Sequence, residues 1–296
     1  VVGYDNIPIK PINLKALGSD INISKEEKVK SFLTYHGFSE VINSSFCSNG
    51  GPTSIKVDNP LDNNRKYIRN NLTDSLVENL IYNEKRQKDS IKLFEISDIY
   101  TSYEKENIKE KRLAIIISGR KGQNYLDFST KLDNNYLSAI FKDINVEIDK
   151  DIFQIDRSKL NSKIKTPIYS IEANIDDLPE NFNNYLPKKR SFVNSIKYQP
   201  ISEFPSSYRD FSFSIKDSSK IHDVIEMLDL SRSKFLINSF MFDFYLNNET
   251  KITKVGYRFI FQAPNKTLTD LEIDESVNII LTPILLLDSV SIPGVD

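Results

Sequence analysis

The chain has 296 residues, of which 39% are hydrophobic and 11% aromatic. That is enough to bury a core in about two domains and too much for a disordered chain. With 39 Lys+Arg against 41 Asp+Glu the formal charge is −2, so any nucleic-acid contact has to come from a local patch and not from the field of the whole chain. One cysteine, Cys47, and two histidines, His36 and His222, exclude an internal disulfide framework and leave too few N and S ligands for structural zinc.

Residues 1–20 read as an extended tail, because Pro8 and Pro11 bar a continuous helix. The first residues carry no signal-peptide pattern and no initiator Met, which reads as a fragment lacking its upstream part, with a cytoplasmic location expected. Ser24 followed by Glu27 predicts a capped helix from about Lys25 to Tyr35, with Val29, Phe32 and Leu33 as its apolar face. Glu40 to Phe46 and Ser54 to Val57 read as strands around the turn Asn49-Gly50-Gly51-Pro52.

A second helix is predicted from Asn71, capped by Thr73 and Asp74, with Leu76, Val77, Leu80 and Ile81 as its stripe. Ile91 to Ile99 and Leu113 to Ser118 read as strands joined by a charged surface loop from Glu104 to Arg112. Asp127 to Phe141 has the pattern of another helix, and Thr166 to Ala173 that of a strand. Lys188-Lys189-Arg190 is a short basic run, and the Pro-bearing stretch Tyr198 to Pro205 reads as a domain boundary.

Beyond it the pattern is strand (Arg209 to Lys216), helix (Ile221 to Leu228), strand (Phe235 to Leu246), strand (Lys251 to Gln262), helix (capped by Thr269 and Glu272, to about Ile280) and short strand (Leu286 to Ile292). This β-α-β-β-α-β order is that of ferredoxin-like domains. Pleat parity sets Arg209, Phe211, Phe213 and Ile215 on one face, with Phe240, Phe242 and Phe244 as the apolar set of the next strand and Val255, Tyr257, Phe259 and Phe261 of the third. The helices are expected to cover these aromatic rows. The other face is polar and lightly basic. It reads either as a solvated sheet face, which composition alone favours, or as an RNA platform on which Tyr245 stacks on a base while Lys254 and Arg258 meet phosphate.

Common chemical motifs are absent: there is no Gly-rich phosphate loop, no carboxylate dyad, and His36, His222 and Cys47 read as structural. That counts against an independent small-molecule enzyme.

Several runs resemble phenylalanyl-tRNA synthetase β subunits of the bacterial type. Tyr198-Gln199-Pro200, Phe204-Pro205 and Arg209-Asp210 before an alternating strand resemble the opening of that family's anticodon-binding domain. Phe242-Asp243-Phe244-Tyr245 resembles its second strand, and Gln262 to Asp270, with Thr267-Leu268-Thr269-Asp270, the end of its third strand and the start of its second helix. Upstream, Val2-Gly3-Tyr4-Asp5 to Pro8 is similar to the exit of a B5 domain; Gly37 to Phe46, Asn59-Pro60-Leu61 with Arg69, and Leu93-Phe94-Glu95-Ile96 are similar to the synthetase-like core.

The resemblance implies an α+β chain: the end of a B5-like domain and linker at 1–20, a catalytically inactive class II synthetase-like antiparallel sheet core with flanking helices at 21–197, and a ferredoxin-fold anticodon-binding domain at 198–296. It implies an aminoacyl-tRNA synthetase (a ligase) in which a separate α subunit activates phenylalanine with ATP and Mg2+. This chain would scaffold α in an (αβ)2 heterotetramer and hold the anticodon region of tRNA(Phe), with no catalytic residue and no cofactor of its own. No arginine stands two residues before Glu95, where the second class II motif would have one. By this carry-over the RNA-binding set is Ser212, Tyr245, Lys254 and Arg258 on the open face, with Arg209 near its edge; Arg209 is alternatively structural, since its parity groups it with the aromatics.

The sequence departs from the family pattern between about Asp156 and Thr166, where the His-Pro-Gly-Arg and Gly-Glu-Leu-His-Pro stretches are missing and the core sheet is shortened. The family's acidic magnesium ligands and its editing domain lie before the Gly3-Tyr4-Asp5 run, so neither is assigned here. A free-standing RNA-binding or assembly protein built from the same domains is the alternative reading.

Overall fold

The computed structural model describes residues 23–104, 106–148, 151–180, 182 and 200–294, together with Pro8. The basic run 188–190 and nearly all of the N-terminal tail lie outside the described residues. The elements in chain order are α1 (Lys25–Tyr35), β1 (Ser39–Glu40), β2 (Phe46–Cys47), β3 (Tyr67–Ile68), α2 (Thr73–Glu84), β4 (Ser90–Tyr103), β5 (Glu106–Gly119), α3 (Asn134–Lys142), β6 (Phe153–Ile155) and β7 (Ile168–Asn174). They continue with β8 (Ser207–Ile215), α4 (Ile221–Leu230), β9 (Leu236–Leu246), β10 (Thr253–Phe261), α5 (Asp270–Leu285) and β11 (Val290–Ser291). The result is a mixed α+β chain with two main sheets.

The first sheet has the order β1-β4-β5-β7-β6. β1 pairs with β4 in parallel and every other pair is antiparallel. Helices cover both of its faces, which is why the covered half of β5, Leu113 to Ile117, is an unbroken apolar run instead of an alternating one. Leu113, Ile115 and Ile117 join Phe32, Leu33 of α1 and Leu137, Phe141 of α3 in one buried cluster. Ala114 and Ile116 join Leu72, Leu76 and Leu80 of α2 in another.

Local sequence explains α1 well. The Ser24 side chain accepts from the Glu27 amide, Val29, Phe32 and Leu33 are buried, and the chain leaves through Gly37 at φ +78°. The start of α2 is different. Thr73 is the first helical residue, and the Asn71 side-chain oxygen accepts from the Asp74 amide at 2.9 Å. The carboxylate of Glu172, on β7, adds a distant cap: it accepts from the Leu72 and Thr73 amides and from the Thr73 hydroxyl at 2.6–3.2 Å. An anion there also complements the helix dipole.

Three expectations are corrected. The predicted strand Glu40–Phe46 is two short pieces, because the chain turns away from β4 after Glu40 and Asn43 bonds to the Glu95 carboxylate instead of to a neighbouring strand. The charged stretch from Glu104 to Arg112 is mostly strand: β4 and β5 stay in register from Ser90↔Gly119 to Tyr103↔Glu106. Charges on its faces find partners across the ribbon or on α1, as in Lys109–Asp98 at 2.9 Å and Lys111–Glu26 at 2.8 Å. The predicted helix from Asp127 begins only at Asn134, where Asp133 caps it. Residues 119–132 form a returning loop closed by Lys121 N–H to Thr130 O and Leu132 N–H to Gly119 O.

The segment between β6 and β7 is fastened by Arg157. Its guanidinium makes a two-pronged pair with Glu84 at the end of α2, 2.6 and 3.0 Å, and donates to Ser118 Oγ and to the Thr166 carbonyl. Glu84 is 6% exposed, so the pair closes this end of the sheet.

The second sheet has the order β11-β8-β10-β9, all antiparallel, with α4 and α5 on one face. Thr269 and Glu272 form a full capping box at the start of α5. That helix runs past the predicted end and through Pro283. Burial of Ile280, Leu281 and Ile284 holds the last turn although Pro283 forfeits an amide hydrogen bond.

Candidate nucleic-acid interface

Register assigns the faces of the second sheet. Phe213, Ile215, Val255, Tyr257, Phe259 and Phe261 are buried under α4 and α5. On the opposite face Ser214, Ser212 and Asp210 of β8 stand beside Lys254, Gly256 and Arg258 of β10, with Tyr245, Asp243 and Phe240 of β9 beyond them.

The aromatic row of β9 does not lie where simple alternation puts it. The β9–β10 register slips between Gly256 and Tyr257, so that Gly256 faces Asp243 while Tyr257 faces Met241, and Phe242 is the extra residue. This bulge turns Met241 toward the helices and puts Phe240 and Phe242 on the open face. Gly256 makes it possible, since a Cβ there would stand 2.9 Å from the Phe242 ring. A lone glycine within a strand pattern is the usual mark of a bulge or close approach. That was the available signal.

The open face is therefore divided. Its Arg258 end is covered by the 119–132 loop of the first sheet's unit. Phe128, 7% exposed, packs on Phe240 and Phe242 with ring centroids 5.6 and 5.5 Å apart. Tyr125 of the same loop packs on Phe244, which is opposite Val255 on the other pleat of the edge strand, at 5.8 Å. Arg120 stacks over the Phe128 ring at 4.1 Å and donates to the Phe128 carbonyl at 2.7 Å. The other end, with Ser212, Tyr245 and Lys254, stays exposed.

The five residues singled out from sequence thus fall in three places. Ser212, Tyr245 (55% exposed) and Lys254 share the exposed end, with Lys254 directly opposite Tyr245. Arg258 is on the same face, but Asp210 accepts from it twice at 2.7 Å and its guanidinium lies 4.1 Å over the Tyr208 ring. The Asp210 carboxylate holds its pKa above the usual arginine value. Arg209 is on the other pleat, opposite Phe259, and pairs with Asp270 at the start of α5 at 2.8 Å. Sequence reasoning missed Tyr125 and Phe128, which it placed before or within a helix.

Glu95, on β4, is closed off in the first unit. It is 2% exposed, pairs with Arg69 at 2.8 Å, and accepts from Asn43 Nδ2 at 2.7 Å. Among the described residues no group of three or more His, Cys, Asp or Glu side chains could hold a metal ion, so Mg2+ is not assigned to them.

The family model described as the phenylalanyl tRNA synthetase beta chain CLM domain matches residues 11–161, and that described as the ferredoxin-fold anticodon binding domain matches residues 202–285. The chain is 28% identical to the phenylalanine–tRNA ligase beta subunit of Fusobacterium nucleatum subsp. nucleatum, over 94% of this chain and 40% of that one. It is 26% identical to the chloroplastic phenylalanine–tRNA ligase beta subunit of Pyropia yezoensis, over 84% and 39%, and 28% identical to the phenylalanine–tRNA ligase beta subunit of Wigglesworthia glossinidia brevipalpis, over 92% and 38%. The chain thus spans about two fifths of the length of the relatives it matches. One model spans α1 to β6 of the first unit, the other spans β8 to α5 of the second, and they occur in this order along one sequence: the chain belongs to the phenylalanyl tRNA synthetase beta chain family.

Proposed function

We propose that this chain works as part of a phenylalanine–tRNA ligase, holding the anticodon region of tRNA(Phe) on its second sheet while its first sheet scaffolds a catalytic α subunit in an (αβ)2 assembly. The observation that carries the reading is the match of residues 202–285 to an anticodon-binding domain on a sheet that leaves Ser212, Tyr245 and Lys254 exposed together. Tyr245 offers a ring for a base, Lys254 a charge for phosphate and Ser212 a hydroxyl, the combination by which sheet platforms take single-stranded RNA. In this reading Arg258 contributes by exchanging Asp210 for a phosphate, and Arg209 contributes from the rim where Asp270 holds it.

Phenylalanine activation, with ATP and Mg2+, belongs on this proposal to α. The burial of Glu95 against Arg69 supports that division. Ile42 and Leu61, 91% and 85% exposed on the first unit, are the apolar side chains proposed to meet α. The proposed divisions are 1–20, 21–197 and 198–296, and the proposed location is the cytoplasm. No helix among the described residues is long and apolar enough to cross a membrane.

Tyr245→Ala is expected to weaken tRNA(Phe) binding by about 1–3 kcal/mol, the range for loss of one stacked base, in a filter-binding titration at fixed salt. Unchanged affinity would move the RNA site off this face.

A further inference from the structure

Between the two units lies a cleft of about 670 Å³, a volume typical of small-ligand sites, which favour such junctions. Its wall on one side is the Tyr208, Phe240 and Ile260 end of the second sheet, and on the other the end of α2, the start of β4 and the segment before β7. It lies apart from the exposed Ser212–Tyr245–Lys254 patch, none of whose residues lines it.

The charge of this cleft is one-sided. Lys88, Arg120, Lys131, Lys165 and Arg258 line it against only Glu84 and Asp89. Both carboxylates are engaged, Glu84 by Arg157 at 2.6 Å and Asp89 by Arg120 at 3.9 Å, and Arg258 is balanced by Asp210. That leaves Lys88, Lys131 and Lys165, which make no ion pair among the described residues. They come from three separate segments of the chain, so only the tertiary fold brings the charges together. The backbone is also specialised there. Gln87 holds φ +61°, a left-handed conformation that favours glycine, and its carboxamide oxygen accepts from Ser206 Oγ across the junction at 2.6 Å. This contact fixes the turn that presents Lys88.

Unbalanced cations around an apolar wall with a half-exposed tyrosine suit a ligand that is anionic at one end and flat and unsaturated at the other. We propose that the cleft binds a nucleoside phosphate, either one unit of an RNA strand or a free nucleotide, with Lys88, Lys131 and Lys165 on the phosphate and Tyr208 beside the base. This site has none of Ser212, Tyr245 and Lys254; Arg258, which lines it and also belongs to the proposed RNA-binding set, is held by Asp210.

The test is calorimetric titration of the whole chain at low ionic strength with UTP and, separately, with a short oligouridylate, which carry the same base. Lys88→Ala/Lys131→Ala/Lys165→Ala is compared with Lys66→Ala/Lys142→Ala/Lys216→Ala, which removes equal charge from exposed positions outside the cleft. All six side chains are exposed, and circular dichroism confirms folding. The expected result is a loss of about tenfold or more in the cleft variant alone, with the RNA salt slope shallower by about two. Loss for both ligands assigns a site open to either source, loss for RNA alone a strand site, and loss for UTP alone a nucleotide site. No binding by the parent chain, or equal losses in the two variants, would overturn the proposal. Tyr245→Ala, by contrast, should leave UTP binding unchanged.

Discussion

Glu95→Ala is expected to lower the stability of the first unit by about 3–5 kcal/mol, the cost of leaving a buried charge without its partner. Arg69 is 3% exposed, and its one acceptor among the described residues is Glu95, while its Nε and Nη1 are buried with none. Removing the carboxylate strands that guanidinium and also takes the acceptor from Asn43, whose carboxamide oxygen holds Asn79 of α2 at 2.7 Å. The effect should therefore reach from β4 through the turn after β1 to the helix above. Arg69→Met/Glu95→Met, which removes both charges and keeps the volume, should recover most of the loss, because a buried ion pair contributes little over a well-packed apolar pair. Urea denaturation of the single and double variants measures both. A single-variant loss below about 1 kcal/mol would show that water reaches the pair and that it does not tie these elements together.

Phe128→Ala is expected to uncouple the two units. The ring leaves its own core: it joins neither cluster of the first sheet and instead fills the space between Phe240, Phe242, Arg120 and Arg258. Truncating a buried phenylalanine costs about 3–5 kcal/mol, and here the loss falls on the junction and leaves both cores intact. The thermal transition should separate into two. Amide exchange should speed up in residues 120–131 and along β9, and stay unchanged in β4 and β5. One cooperative transition with unchanged exchange would mean that Gln123–Asn238 and Gln87–Ser206 suffice to join the units.

How legible the chain was depended on how local each determinant is. α1 and α5 could be read because cap, apolar face and stop lie within a few residues: Ser24 with Glu27, Thr269 with Glu272. The ferredoxin-like order could be read because turns and alternation are local as well. The cap of α2 could be read only in part: Asn71, which accepts from the Asp74 amide, is local, but Glu172, which accepts from the Leu72 and Thr73 amides, is about a hundred residues away and reaches them only once β7 is in the sheet. The charged outer part of the β4–β5 ribbon, Glu104 to Arg112, looked like a loop because its charges are satisfied across strands, and a single strand's sequence does not show what lies opposite.

At the candidate site the same division holds. Strand parity placed Ser212, Lys254 and Arg258 on one face and Arg209 with the aromatics, as the register has them. It failed at β9, where an extra residue reverses the sense of the preceding stretch, so Phe240 and Phe242 face outward, until a second slip at Ile237 restores it. It could not show that Phe128, more than a hundred residues upstream, covers Phe240 and Phe242 at one end of that face, nor that Asp210 already occupies Arg258. The exposed end with Tyr245 and Lys254 was readable; what shields the other end was a tertiary property.

The most direct test of the account is a binding titration of this chain against tRNA(Phe) and against the same tRNA with its anticodon loop replaced, at matched salt, since phosphate contacts alone would bind both. The account predicts that loop replacement weakens binding by about tenfold or more and that Tyr245→Ala removes most of that difference. Equal affinity for the two RNAs would contradict the assignment of the anticodon region to the second sheet.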